Sequence, residues 1–493
     1  MHLDAPHMTP DEFRRVGHRV IDWLASYMER VESMPVRPST EPGEVAAMLP
    51  DAPPESSEGW DAILADLDRI VVPNLMHWQH PGFLGYFPCN ASGPAILGDL
   101  VSTGLGVQGM LWSTSPACTE IETVVLDWFA DAIGLPSVFR SDAEGGESGG
   151  VILGTASEAA LTAMIAARDA TMHAHGATDP SRCTVYTSEQ AHSSIMKAAG
   201  LCGIGRANVR TIPTGRSLAL DPGALREVIQ KDAASGMLPS YACATIGTTS
   251  TGAIDPLRAM GEITRAHDMW LHVDAAYAGS ALVCPEHREM IEGVELADSF
   301  NFNPHKWLLT SFDCSLFWIR RRSDLLSAMA ILPEYLRNAA TDAGSVIDYR
   351  DWHIPLGRRF RALKLWFVLR HYGLAGLRAF IREHVRLAEL LEGWIASDDR
   401  FVLCAPRCLS LLCFRLAAGD DATRTLMERV NASGEVFLTH TRVPDWGPTG
   451  EGDGAERYVI RVAIGATTVR EDHIRRAWAI VSREADGVLG AGV

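Results

Sequence analysis

Between about residues 118 and 320, short apolar runs rich in β-branched and aromatic residues alternate with stretches of helical pattern. The helical stretches, such as SEAALTAMIAARDATMHA and PLRAMGEITRAHD, lie between or beside the short runs. This order predicts an α/β fold with a mostly parallel central sheet, and ligands in such folds bind where the carboxyl ends of strands lead into loops. The runs interpreted as buried strands are CTVYTS (183–188), ANVRTIP (207–213), SYACATIG (240–247), MWLHVDAAY (269–277) and CSLFWI (314–319).

The N-terminal segment has a different character. Thr9 followed by Pro10 and Glu12 is a helix start signal, and apolar residues then recur at three- and four-residue spacing from Phe13 to Val31. This helix has a wide apolar face and little of its own to pack on. A second subunit is therefore the expected recipient of that face.

The C-terminal part carries a third pattern. Residues 323–357 show little periodicity, which is typical of a lid or a disordered segment. The run RRFRALKLWFVLRHYG then resumes a helical pattern, and smaller helices and strands alternate from about residue 376. We therefore expect an N-terminal helical arm at 1–90, a large domain at 91–375 and a smaller C-terminal α+β domain at 376–493.

Charge and cysteine usage narrow the possible partners. The net charge is −17 and no basic run offsets it, which argues against nucleic acid or an anionic membrane as a partner. The sequence lacks a signal-peptide pattern and a long apolar span, so we expect a cytoplasmic protein. Its ten cysteines are scattered, without the paired spacing of a zinc site. They indicate reduced thiols and no bound metal.

An acidic residue and a lysine stand out in apolar surroundings. Asp274 closes the strand-like LHVD run, and Lys306 lies in NPHKW, 32 residues later and after a further strand-like segment. A carboxylate beneath a pyridinium nitrogen and a lysine bonded to an aldehyde are the two groups that a pyridoxal phosphate site requires. A helix cap or a structural ion pair remains the other interpretation of Asp274.

Two further elements suit the same cofactor. The turn Gly154-Thr155-Ala156-Ser157 opens directly into a helix, and backbone donors at a helix start suit a phosphate, although an ordinary N-cap at Ser157 fits the same pattern. Asn303 and His305, just before the lysine, offer additional donors. His192 follows a strand, where its imidazole can stack on a planar ring or serve only as a structural residue.

Eight ordered blocks then give a resemblance that covers nearly the whole chain. The sequence resembles the pyridoxal-phosphate-dependent group II amino acid decarboxylases, and among them the aromatic L-amino acid decarboxylases. The blocks are HPGFLGYFP, SPACTEIETVVLDW, GTASEAAL, QAHSS, GTTSTGAID, LHVDAAYAGSA, FNFNPHKWLL and IPLGRRFRALKLWFVLRHYG.

The resemblance implies a fold-type I homodimer with its active site between subunits and pyridoxal 5'-phosphate as cofactor. It assigns Lys306 as the Schiff-base lysine, Asp274 as the partner of the ring nitrogen and His192 as the stacking imidazole. Ala276 would lie against the opposite face of the ring, and Thr249 would support the ring. The residues that would hold the phosphate are Ala156, Ser157, Asn303 and His305.

The resemblance also implies the reaction, which is decarboxylation of tryptophan, phenylalanine, tyrosine or dopa to the corresponding amine and CO2. Tyr335 in ILPEYLRN is the expected proton donor, since a phenol is a feasible acid toward a strongly basic carbon; otherwise it only packs under its loop. Relatives that make aldehydes replace this tyrosine or the stacking histidine, and both are present here. An oxygen-dependent acetaldehyde synthase and a non-catalytic cofactor-binding protein remain the alternatives.

The substrate pocket rests on weaker signals. Trp78, Tyr86 and Phe87 can form an aromatic wall, although such residues are equally compatible with core packing. The sequence departs from the animal enzymes at Cys89 and at Met110, where they carry threonine and phenylalanine. Gly357 resembles the small-residue form of indole-accepting members, which favours tryptophan as substrate.

Overall fold

The structure, a computed structural model, describes residues 7–331, 346–445 and 454–490. Within these residues a seven-stranded sheet forms the centre of the large domain. Its strands are β1 (Gly149–Leu153), β2 (Cys183–Ser188), β3 (Val209–Ile212), β4 (Leu238–Thr245), β5 (Trp270–Asp274), β6 (Ser299–Phe302) and β7 (Ser315–Ile319).

The strand order is β1-β7-β6-β5-β4-β2-β3, and only β7 runs against its neighbours. The mostly parallel α/β sheet predicted from the sequence is therefore confirmed. Since β1, β2, β4, β5 and β6 point the same way, their carboxyl ends meet at one edge of the sheet. The loops that carry the candidate site residues leave from that edge.

Helices cover both faces of the sheet. In the described chain no helix is both long and apolar enough to cross a bilayer. The α-helices are α1 (Pro10–Arg30), α2 (Glu44–Ala47), α3 (Trp60–Asp66), α4 (Gly93–Leu105), α5 (Pro116–Ile133), α6 (Ala156–Ala174), α7 (Ser194–Leu201), α8 (Pro222–Ala234), α9 (Leu257–Arg265), α10 (Pro304–Trp307), α11 (Arg322–Met329), α12 (Arg361–Ala396), α13 (Asp420–Ala432) and α14 (Glu471–Gly490).

All five predicted strands are present, but β1 was missed because it begins with two glycines. From its sequence, this block predicts only a turn that leads into a helix. A Cβ at Gly150 would lie 2.9 Å from Cδ1 of Trp318, so close packing against β7 requires a residue without a side chain. Glycine at such a position removes the β-branched signal by which a strand is recognised.

The segment after β7 also differs from expectation. A helix, α11, occupies the start of the stretch that was expected to lack regular structure. The helical run that follows this stretch is longer than predicted, since α12 continues to Ala396 after a break at Gly373, where φ is 60°. Glycine adopts this left-handed conformation without steric strain.

A second, antiparallel sheet lies in the C-terminal part. Its strands are β8 (Phe401–Leu403), β9 (Leu411–Leu416), β10 (Thr439–Pro444) and β11 (Glu456–Ala463), in the order β10-β11-β9-β8. Helices α13 and α14 pack with it around a separate group of buried apolar residues. This arrangement matches the predicted α+β pattern, while the exact domain boundaries at 90 and 375 stay predictions.

The N-terminal helix begins as predicted. The hydroxyl of Thr9 accepts a hydrogen bond from the backbone N–H of Glu12 at 3.2 Å, and Pro10 occupies the first helical position. Its apolar face stays largely uncovered in the single chain: Phe13 is 61% exposed and Met28 is 46% exposed.

A buried ion pair joins three segments beneath the sheet edge. Nη2 of Arg358 lies 2.6 Å from Oε1 of Glu122, and both side chains are almost fully buried, at 1% and 0% exposure. The same carboxylate oxygen accepts the backbone N–H of Ile152, whose carbonyl accepts from Arg358. The pair therefore fixes α5, β1 and the segment before α12 to one another.

Replacing Glu122 by Ala is expected to lower the free energy of unfolding by about 3–5 kcal/mol, because it leaves a guanidinium buried without its counter-charge. Urea unfolding followed by circular dichroism measures the change. Glu286→Ala, which breaks a surface pair with Arg382, is the control and should lose less than about 1 kcal/mol. Equal losses in the two variants would contradict the interpretation.

Candidate active site

Two adjoining cavities open at the carboxyl edge of the central sheet. The inner cavity has a volume of about 180 Å³ and the outer one about 700 Å³. Residues from β-strand ends and from the C-terminal sheet line them. The residues shared by both cavities are Phe87, His192, Thr249, His305 and Lys306.

Lys306 lies at the junction of the two cavities. It sits in the short helix α10, directly after β6, and its Nζ is 4.8 Å from the centroid of the Phe87 ring. Burial lowers the pKa of Lys306 from its ordinary 10.5 to about 8, while Asp274 acts against this shift and Arg461 adds to it. The lowered pKa increases the fraction of neutral amine near pH 7, and the neutral amine is the nucleophilic form.

Asp274 is the last residue of β5 and lines the inner cavity. Its Oδ1 accepts the backbone N–H of Ala276 at 3.0 Å, which fixes the orientation of the carboxylate. Ala276 lines the same cavity. The two sequence-predicted groups, a carboxylate and a lysine, are thus brought into one cavity of the size of a small aromatic ring system.

The opposite end of the inner cavity offers hydrogen-bond donors. Ala156 and Ser157 begin α6, and the first N–H groups of a helix have no intrahelical acceptor. Thr155 caps this helix by accepting from the N–H of Glu158. The sequence-predicted phosphate cup is therefore a helix start aimed at the cavity, as the chemistry of a dianion requires.

His305 and Asn303 add to this donor set. Nδ1 of His305 accepts the backbone N–H of Cys314 at 2.9 Å, and burial lowers the pKa of its imidazole to about 3. The ring is therefore neutral and carries its proton on Nε2 as a donor. Asn303 lines the inner cavity, where the NH2 group of its side chain can donate to a phosphate. These residues fit the phosphate of pyridoxal 5'-phosphate.

His192 borders both cavities and stays accessible to solvent. Its Nδ1 accepts the backbone N–H of Ser194 at 3.2 Å, which leaves the proton on Nε2. Partial burial lowers the pKa of His192, and the Asp274 carboxylate acts in the opposite direction. Thr249, the remaining predicted contact of the cofactor ring, lines both cavities as well.

An aromatic wall surrounds the outer cavity. Trp78 and Tyr86 stack with their ring centroids 5.6 Å apart, and both are exposed, so they are not core residues. Phe87 is buried and stacks on Tyr277 at 4.2 Å, and it combines a packing role with a cavity surface. Cys89 completes this side of the cavity.

Arg461 lines the outer cavity and binds two of the segments that form it. It is buried in β11, donates to the carbonyl of Thr249 at 2.8 Å and to that of Tyr86, and lies 4.4 Å over the Phe87 ring. Tyr86 has a φ of 50°, an uncommon conformation for a residue with a side chain. The guanidinium therefore holds a strained segment at the site.

Sequence reasoning missed several lining residues. They include Phe312 and three consecutive residues of β10, namely Thr439, His440 and Thr441. Phe312 follows the NPHKW block closely, and this proximity to Lys306 is the only feature of the sequence that indicates a place in the site. The β10 residues lie more than 130 positions after Lys306, and only the packing of the C-terminal sheet against the large domain brings them to the cavity.

Two predicted pocket residues lie elsewhere in the single chain. Neither Met110 nor Gly357 lines either cavity. They lie on two segments that contact each other, since the N–H of Gly109 donates to the carbonyl of Arg358 at 3.2 Å. Tyr335, the predicted proton donor, lies outside the described residues.

The described residues contain no cluster of three or more side chains that could hold a metal ion. All ten cysteines, each within the described ranges, are free thiols.

Comparisons with known proteins place this geometry in context. A family model for the pyridoxal-dependent decarboxylase conserved domain matches residues 42–417. Tryptophan decarboxylase 2 of Oryza sativa subsp. japonica is 44% identical over 492 residues, which cover 98% of this chain and 96% of that protein. Phenylacetaldehyde synthase of Arabidopsis thaliana is 43% identical over 491 residues, 98% of this chain and 97% of that protein.

Among solved structures, the crystal structure of Oryza sativa TDC with PLP and tryptamine superimposes with a TM-score of 0.93 at 41% identity. The match covers 97% of this chain and 99% of that one. The likeness thus includes the N-terminal arm and the C-terminal sheet as well as the large domain.

Covalent capture of pyridoxal 5'-phosphate by Lys306 is expected to accelerate with rising pH through a midpoint near 8, because the neutral amine is the nucleophile and its pKa is lowered to about 8. Borohydride trapping followed by mass spectrometry of the Lys306 peptide measures the rate. Arg461→Gln should move the midpoint upward, since Arg461 lowers the pKa of Lys306. A midpoint at about 10 in the unmodified protein, the ordinary value of a lysine, would refute this account.

Proposed function

The chain belongs to the pyridoxal-dependent decarboxylase family, and from this premise we propose that it converts an aromatic L-amino acid to the corresponding arylalkylamine and CO2. The observation that carries the proposal is the arrangement of Lys306 and Asp274 in an inner cavity that opens into an aromatic-walled outer cavity. The inner cavity suits the cofactor, and the outer one suits an aromatic side chain.

The residues that hold pyridoxal 5'-phosphate follow from the inner cavity. Lys306 would bind its aldehyde and Asp274 would face its ring nitrogen, while His192 and Ala276 would flank the ring, with Thr249 beside it. When bound, the cofactor would supply an electron sink for the bond that breaks. The residues that would hold its phosphate are Ala156, Ser157, Asn303 and His305.

Side chains of the protein carry out substrate orientation and proton transfer. The aromatic wall of Trp78, Tyr86 and Phe87 orients the substrate and keeps water away from the reacting carbon. The Asp274 carboxylate would favour the protonated form of the ring nitrogen. After CO2 has left, Tyr335 donates a proton to the Cα carbon, a role proposed from its position in the family pattern.

Tryptophan is the substrate that we favour. The rice relative is a tryptophan decarboxylase, and the related solved structure contains tryptamine. Gly357 leaves room for two fused rings, and Met110 is an adaptable neighbour. Phenylalanine, tyrosine and dopa are the other candidates.

A second copy of the chain completes this site. Met110 and Gly357 lie away from the cavities of their own chain, so their proposed contact with substrate requires a partner subunit. Helix α4 presents an uncovered apolar face that suits such a partner, with Leu97 at 46%, Leu100 at 48% and Leu105 at 58% exposure. Helix α1 presents a second exposed apolar face, with Phe13 and Met28. A homodimer with an active site at each end of the interface accounts for both observations.

The cytoplasm remains the proposed compartment. Ten free cysteines are typical of proteins in a reducing environment.

The holoenzyme, supplied separately with L-tryptophan, L-phenylalanine, L-tyrosine and L-dopa, is expected to release amine and CO2 in equal amounts. Mass spectrometry quantifies the amine, and a coupled assay measures hydrogen peroxide. Tryptophan should give the highest kcat/KM. Lys306→Ala, which removes the group that binds the cofactor, is the control and should abolish turnover.

The acetaldehyde synthase remains a second candidate because one relative that is 43% identical is a phenylacetaldehyde synthase. Aldehyde, ammonia and hydrogen peroxide in place of amine would establish that activity. Absence of any product, combined with retained cofactor, would instead favour the non-catalytic binding protein.

Mixed dimers test the shared site. Chains carrying Lys306→Ala and chains carrying Gly357→Trp are each expected to be inactive as homodimers, the second because a bulky residue blocks the partner's cavity. A purified heterodimer should recover about half of the wild-type activity, since one of its two sites combines an intact lysine with an intact glycine.

The control heterodimer pairs wild type with a chain that carries both substitutions. In this heterodimer the only intact Lys306 shares its site with the Trp at position 357 of the doubly substituted chain. The control heterodimer should therefore be inactive. An inactive trans heterodimer together with an active control would mean that Gly357 acts within its own chain.

A further inference from the structure

A group of buried polar side chains lies on one face of β5 and β6, next to Asp274. Successive residues of a strand alternate between faces, so Trp270, His272 and Asp274 project to the same side. The ladder pairs His272 with Ser299 and Asp274 with Asn301, which places the β6 side chains on that side too. This group lies behind the inner cavity, and its polar atoms are inaccessible to water.

The first two hydrogen bonds of the group have a fixed direction. Nε1 of Trp270 lies 2.8 Å from Oγ of Ser299, and because an indole N–H is only a donor, the serine oxygen accepts. The same oxygen lies 2.8 Å from Nδ1 of His272. Since the described residues give this hydroxyl no other acceptor, its proton goes to Nδ1.

This direction determines the tautomer of His272. Burial lowers the pKa of the imidazole to about 4, and Asp274 and Asn301 act in the opposite direction. The ring is therefore neutral near pH 7, and with Nδ1 as acceptor its proton is on Nε2. Stacking on Tyr241, with ring centroids 5.9 Å apart, holds the ring in place.

The remaining polar groups of this side of the strands are Nε2 of His272 and the amide of Asn301. In the described chain, Nε2 of His272 and both amide atoms of Asn301 have no hydrogen-bond partner, although these residues are completely buried. Leaving such groups unpaired costs about 1–3 kcal/mol each. Asn301 is the ladder neighbour of Asp274 and faces His272. Its Oδ1 can accept from His272 while its Nδ2 donates to the Asp274 carboxylate.

We propose that a one-way chain of hydrogen bonds runs from Trp270 to Asp274 and that His272 is its central positioning residue. From donor to acceptor, the chain is Trp270, Ser299, His272, Asn301 and Asp274, crossing between β5 and β6 at every step. Every link directs a donor toward the carboxylate. The chain therefore fixes the Asp274 carboxylate in its orientation toward the inner cavity.

The inference rests on the proposed function, in which Asp274 keeps the ring nitrogen of the cofactor protonated. When the chain is broken, the Asp274 carboxylate is no longer fixed in its orientation toward the ring nitrogen, and its hydrogen bond to that nitrogen weakens. Breaking the chain should therefore decrease protonation of the ring nitrogen, an effect that a loss of packing alone does not produce.

The test measures the ¹⁵N chemical shift of pyridoxal 5'-phosphate labelled at the ring nitrogen and bound to the full-length protein. His272→Leu and Asn301→Leu each break the chain and are expected to move the signal toward that of the unprotonated ring. His272→Gln supplies both an acceptor and a donor and should stay near the wild-type shift. Tyr241→Phe removes a neighbouring hydroxyl outside the chain and should leave the shift unchanged.

Ser299→Ala removes the bond that fixes the tautomer and keeps the proposal testable if His272→Leu does not fold. It should give a shift between those of wild type and Asn301→Leu. Circular dichroism and the amount of bound cofactor, measured in every variant, separate unfolding from a change at the nitrogen.

Asp274→Asn distinguishes this inference from the proposed function. If Asp274→Asn moves the signal and the His272 and Asn301 variants do not, the hydrogen-bond chain is refuted and the role of Asp274 stands. If Asp274→Asn itself leaves the signal unchanged, the proposed function of that carboxylate is wrong. Equal shifts for His272→Leu, His272→Gln and Tyr241→Phe would overturn the assignment to His272.

Discussion

The register of three parallel strands is the constraint on which the site depends. Thr245, Asp274 and Asn301 stand side by side at the carboxyl ends of β4, β5 and β6. A slip of one residue would move Asp274 to the opposite face of the sheet and separate it from the cavity that holds Lys306. Because the strands are buried on both faces, apolar packing fixes this register strongly, and Thr245 and Asp274 at the strand ends line the inner cavity.

The sequence predicted this central arrangement because each strand carries its own signal. The apolar runs before His192 and Asp274, and the strand-like segment before Lys306, identify the strands. A parallel sheet then brings their carboxyl ends together without further information. The helix start at Ala156 was equally visible, whereas the strand before it was hidden by glycines that allow contact with Trp318.

What the sequence did not reveal depends on contacts between distant segments. His440 lines the outer cavity because the C-terminal sheet packs against the large domain. No sequence spacing predicts that contact. Met110 and Gly357 were assigned to the pocket from the family pattern, yet the single chain holds them away from Lys306. Sequence similarity transfers a residue's role without stating which subunit supplies it. Tyr335 falls outside the described residues, so its role stays a prediction.

Arg461 connects the C-terminal sheet to the chemistry of the site. Its guanidinium binds the carbonyl of Thr249 and lies over the same Phe87 ring that Nζ of Lys306 approaches. Burial lowers the pKa of this arginine to about 10, and its charge in turn lowers the pKa of Lys306. A lysine buried beside Asp274 alone would be held more firmly in its charged form. The arginine that secures the cavity mouth thus also favours the neutral amine, so the C-terminal sheet contributes to reactivity as well as to shape.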